Sequence, residues 1–126
     1  MPSYVINTQH RDRNPNKSQW TVAETDERSL FNVAISEWLE ISSNNAYGIK
    51  KTGASLDVLG ICVDRTTNLK IAKFKGDQDV WHGYPANYRI NQHDKPSPTI
   101  LEKWKQAELI SKSDMAKISR GQKCNL

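Results

Sequence analysis

The chain has 126 residues, with 18 Lys and Arg against 14 Asp and Glu, so its formal net charge is +4 and its isoelectric point about 9.1. This length suits one domain with a real core. No apolar run approaches the roughly 20 residues of a membrane-spanning helix, and two cysteines exclude a disulfide scaffold.

Mean hydropathy is −0.73, yet Trp, Ile, Leu and Val recur in ordered patterns, which argues against a disordered chain. The charge is unevenly placed. Residues 1–63 carry six basic and seven acidic side chains, whereas residues 64–126 carry twelve and seven, so the second half alone holds a net +5. Such a surface attracts phosphate backbones or acidic proteins, although a Lys-rich face also serves solubility alone. The opening residues, Met1 to Asn7, lack a basic start followed by an apolar stretch, so no secretory signal and a cytoplasmic location are expected.

In chain order, residues 3–7 read as a short strand and the polar residues 8–18, with Pro15, as a loop. Trp20 to Val22 read as another short strand. Leu30, Phe31, Ala34, Ile35, Trp38, Leu39 and Ile41 recur at spacings of three and four, which predicts one amphipathic helix over 26–42. Thr25 is its expected N-cap, and Asp26 and Glu27 suit the positive end of the helix dipole. Residues 43–55 read as a loop in which Gly48 and Gly53 flank Lys50 and Lys51, without the spacing of a phosphate-binding P-loop. The apolar run 56–64 predicts the central strand. Residues 69–75 and 78–84 complete an antiparallel meander, with a turn at Gly76 and Asp77. Pro85 is expected to end the last strand, and 85–96 to form a polar loop.

Ser97 and Pro98 then open a helix as N-cap and first helical residue. Ser111 and Asp114 form a capping-box signature for a final helix over 112–120, which Gly121 stops. The predicted fold class is α+β: a three- to five-stranded, mainly antiparallel sheet packed with one amphipathic helix and a C-terminal helical hairpin, at the sheet's edge or on the same face as that helix.

The most distinctive stretch is residues 81–89, where Trp81, His82, Tyr84, Tyr88 and Arg89 crowd a strand end. Lys73 and Lys75 share one face of the preceding strand. Three function classes follow. The first is a small basic accessory protein binding nucleic acid, or another polyanion, through its second half. Trp81, Tyr84, Tyr88 and Phe74 would stack bases while Lys73, Lys75, Arg89 and Lys95 hold phosphates. Lys117 and Arg120 on the last helix add a surface resembling that of a helix-turn-helix. The second class is a protein-binding module, such as an inhibitor, immunity protein or adaptor. The third is a metal-independent ribonuclease or toxin domain with His82 and His93 as acid and base. His10, His82, His93, Cys62 and Cys124 show no metal-ligand spacing, so neither metal nor cofactor is expected. Cys62 is expected to be buried and Cys124 exposed.

Overall fold

A computed structural model describes every residue except Met1, Ile41 and Asn125. Its elements run β1 (Ser3–Tyr4), β2 (Gln19–Trp20), α1 (Glu24–Glu37), β3 (Leu39–Glu40), β4 (Asn45–Gly48), β5 (Lys51–Thr52), β6 (Ser55–Leu56), β7 (Gly60–Ile61), β8 (Asn68–Leu69), β9 (Ile71–Asp77), β10 (Val80–Ala86), α2 (Pro98–Gln106) and α3 (Lys112–Ser119). Single 3-10 turns lie at Thr8–His10 and Gln92–Asp94. No described helix is long and apolar enough to cross a membrane. The α+β class is as expected. The main sheet has the order β1-β10-β9-β4-β3, antiparallel except for the β1–β10 pair.

Strand β9 is the central strand, between β4 and β10. The apolar run 56–64, expected in that place, instead supplies the end of β6 and then β7, which belongs to a separate three-stranded sheet with β2 and β8. Its residues are apolar because that small sheet covers the large one: a Cβ on Gly60 would meet the Pro85 ring at 2.3 Å. The predicted loop 43–55 contains β4, whose Ala46, Tyr47 and Gly48 are all buried. Of its four residues Tyr47 alone favours strands, and pairing with β9 overrides the weak propensity of Asn45, Ala46 and Gly48.

Strands β9 and β10 form the one long hairpin, in register from Ile71 opposite Ala86 to Asp77 opposite Val80. The turn falls at Gln78 and Asp79, two residues later than expected, and both have positive φ (49° and 68°). Two such residues give the backbone twist that a two-residue hairpin needs. Pro85 lies inside β10 rather than ending it. The strand β1 reaches only Val80 and Trp81. The Pro85 carbonyl instead accepts a hydrogen bond from Ser18 Oγ at 2.7 Å, so the absent N–H leaves no ladder bond unmade.

The sheet is covered on both faces. Leu30, Phe31 and Ala34 of α1 pack with Ala46, Ala72, Phe74, Trp81, Trp20 and Leu59 on one side. Tyr47 and Ile71, which alternate with Ala46 and Ala72 and so face the other way, pack with Ile100, Leu101 and Trp104 of α2 and Ile118 of α3. The helical hairpin therefore lies opposite α1, not at the edge or on the same face. Helix α1 ends at Glu37, short of the predicted Ser42, and its N-cap is Ala23, which makes no side-chain cap bond. Leu39 leaves the helix to pair with Ala46, and Trp38 packs edge-on against Trp104 at 5.8 Å, in the opposite core. Ile41, the last member of the expected stripe, lies outside the described residues.

Glu27, expected at the positive end of the helix dipole, is fully buried. Its carboxylate accepts from Arg11 Nε at 2.9 Å, pairs with Arg11 Nη2 at 2.8 Å and accepts from the Tyr4 hydroxyl. A buried charge is tolerable only with such partners, so this cluster binds the N-terminal segment to α1. At the other end of the chain, Ser97 caps α2 by accepting from Ile100 N, Pro98 takes the first helical turn, and Ser111 and Asp114 form the capping box of α3. Gly121 follows α3 with φ +69°, the left-handed geometry that ends helices.

Candidate functional site

Two side chains from adjacent strands begin the site. Register places His82 of β10 directly opposite Lys75 of β9, and Tyr84 opposite Lys73, all on the α2-side face. His82 and Lys75 are exposed, because the helical hairpin does not extend over this end of the sheet. Lys73 is buried, with its ammonium 3.6 Å from Asp94 Oδ1 and donating to the His93 carbonyl. Burial pulls the Lys73 pKa down, and Asp94 counters this. Tyr84 donates to the same Asp94 oxygen at 2.6 Å. Its hydroxyl pKa is raised, first by burial and then by that carboxylate acceptor. The acidic side chain is aimed inward by the turn that holds it: Asn91 caps Gln92–Asp94 by accepting from His93 N.

A residue from the far end of the chain completes the arrangement. His10 stacks on Tyr84 with ring centroids 5.1 Å apart and planes at 16°. Asn7 caps its turn by accepting from Gln9 N, and the ring is fixed by a 2.8 Å bond between Nδ1 and the Ser18 carbonyl. A carbonyl only accepts, so Nδ1 carries the proton and Nε2 the lone pair. Burial holds the His10 pKa below the usual 6.5; the Ser18 bond opposes this, while Lys17 and His82 push the same way as burial.

His10, His82, Tyr84, Lys75, Lys17 and Asp94 line one cleft of about 440 Å³. That volume falls in the roughly 300–1,000 Å³ range of ordinary ligand sites. A second, equally polar basin of about 460 Å³ is lined by Thr66, Lys70, Arg89, Lys123 and Cys124, among others, and Leu69 and Asn87 line both, so the two adjoin. In this second basin Lys70 Nζ donates to the Leu126 carbonyl at 2.7 Å.

The predicted residues thus separate. Lys75, His82 and Tyr84 come together in the cleft, and Arg89 lies in the neighbouring basin. Trp81 and Phe74 are buried and line neither basin, while Tyr88, though largely buried, lines the second one. Trp81 packs on Phe31 at 5.9 Å, and Tyr88 donates to the Gln122 carbonyl at 2.7 Å. Lys73 is held by Asp94 and meets no phosphate. His93 is exposed on its turn and does not line the cleft. Lys95 donates to the Ser119 carbonyl at the end of α3, beside exposed Lys117 and Arg120. Cys124, expected to be exposed, is half-buried and in contact with the Tyr88 hydroxyl at 3.5 Å, its thiol pKa raised by burial. Cys62 is buried as expected, and both thiols are free. Among the described residues no group of three His, Cys, Asp or Glu is placed to hold a metal ion.

Sequence reasoning missed His10 and Lys17, which lie in a polar loop that gives no periodic signal. The only local hint was Asn7, a turn former three residues before His10. No protein-family model, curated protein or solved structure matches the chain.

Proposed function

We propose that the chain binds nucleic acid, with the phosphates lying along the two adjoining basins. The observation that carries this reading is the placement of cations. Lys17 and Lys75 line one basin, and Arg89 and Lys123 line the next, with amide side chains such as Asn87 between them. A polyanion crossing both would meet cations at either end and hydrogen-bonding groups in the middle, the pattern that positions a phosphate backbone. The burial of Trp81 and Phe74 shifts the expected mode away from base stacking, so recognition rests on the backbone and varies little with sequence.

The test is fluorescence anisotropy of a labelled single-stranded RNA at several salt concentrations. Affinity should fall on a log–log plot with a slope of about −0.7 per phosphate contacted. Lys75→Ala and Arg89→Ala should each weaken binding and make the slope shallower by about 0.7. Binding that is flat in salt, or unchanged in both variants, overturns the reading. It would leave the protein-binding class, for which the open groove between α1 and the β6–β7 segment, lined by Val22, Leu30, Val33 and Val58, is the apolar surface to test.

A further inference from the structure

We infer that the cleft cleaves RNA without a metal, with His10 and His82 as the acid–base pair; this rests on the nucleic-acid reading and names its reaction. The pair differs from the one the sequence suggests, His82 with His93, because His93 stands outside the cleft and His10 inside it. His82 and Tyr84 are alternate residues on one strand face, roughly 7 Å apart. His10 stacks on that same Tyr84. Both imidazoles line the cleft, with Lys75 facing His82 across the β9–β10 ladder.

The roles follow from how each ring is held. The Nδ1–H of His10 is committed to the Ser18 carbonyl, so Nε2 carries the lone pair that accepts a proton. His82 is exposed and serves as the acid. Lys75 supplies the fixed positive charge that a phosphorane transition state needs.

The 2′-hydroxyl of a ribose gives its proton to His10 Nε2 while its oxygen bonds to the adjacent phosphorus. The bond from phosphorus to the 5′-oxygen of the next nucleotide breaks, and protonated His82 gives that oxygen its proton. The products are a 2′,3′-cyclic phosphate and a free 5′-hydroxyl. Atoms and charge balance with no oxidant, metal or co-reactant. His10 leaves protonated and His82 neutral, and exchange with solvent restores both.

The experiment incubates the full chain with a labelled RNA in excess EDTA and identifies the ends by mass spectrometry. The same strand in DNA, and RNA with a single 2′-deoxy position, serve as bound but uncleavable controls. Cyclic phosphate ends are expected from RNA only. His82→Asn and His10→Asn should each lower the rate at least about 100-fold, with RNA affinity changed less than about threefold. His93→Asn should cleave as the parent does. Because His82 is exposed, its variant keeps the fold even if His10→Asn does not, and that variant alone decides the matter. RNA that is bound but left intact overturns this inference and spares the binding reading. Cleavage that survives His82→Asn, or that extends to DNA, overturns it too. RNA neither bound nor cut overturns both.

Discussion

His10 shows how burial turns an ordinary side chain into a pH-sensitive one. Its pKa in the folded chain lies below 6.5, chiefly because burial penalises the charged ring. The unfolded chain therefore binds more protons than the folded one once the pH drops below 6.5, and stability must fall with it. The contribution is complete above 6.5 and is lost progressively down to the lowered folded value. Urea midpoints should accordingly decline as the pH is taken below 6.5, and His10→Gln, which has no such proton to bind, should flatten this decline. An unaltered slope in the variant would mean that another group governs the acid limb. Lys73 illustrates the opposite strategy at the same scale. It stays buried because Asp94 compensates it, and Asp94 in turn is held by Tyr84. A lysine on a strand reads from sequence as a solvent-facing cation, and only its partner on a distant turn reveals otherwise.

Among the elements, the β9–β10 hairpin was the most legible, because residues alternate along both strands and turn residues sit between them. Its glycines were legible only as loose backbone, whereas their role is space. A Cβ on Gly83 would stand 2.3 Å from the Phe74 ring, and one on Gly76 would stand 2.3 Å from the Trp81 indole. In each case the aromatic ring belongs to the directly opposite residue and lies over the glycine. Gly83→Ala should thus lower stability by about 1–3 kcal/mol through overpacking, read as a shift of the urea midpoint with the slope unchanged; a neutral result would mean that the Phe74 ring moves aside at little cost. The helix starts at Ser97 and Ser111 were readable because capping chemistry is local. The strands β4 and β7 were not, since Tyr47 is the one strand-forming residue of β4 and β7 shares its apolar character with the whole run 56–64. The site divides the same way. The facing of His82 and Lys75 follows from hairpin register, but His10 arrives by tertiary packing, which no local pattern encodes.

At the scale of the molecule, two cores share one sheet, and segments distant in sequence are pinned to it by few contacts. The N-terminal segment is the extreme case. It reaches β10 through β1, through bonds from Ser3 N to the Asp79 carbonyl and from Val5 N to the Trp81 carbonyl, both 2.8 Å, and it reaches α1 through the Tyr4–Glu27 contact. The main sheet ends on each side in a strand of two residues, β1 and β3. Strands so short present almost no free ladder to another chain, whereas β10 beneath β1 is seven residues long. That small cover keeps molecules apart. Val5→Pro removes one of its bonds and should loosen it, exposing the outer edge of β10 as a template for a second molecule. Light scattering should then rise with protein concentration in the variant and stay level in the parent. Equal scattering from both would show that the Ser3 bond and the Tyr4–Glu27 contact hold the cover without Val5. On this view two residues of strand at the start of the fold guard against self-association, a service to colloidal stability that neither the core nor the cleft performs.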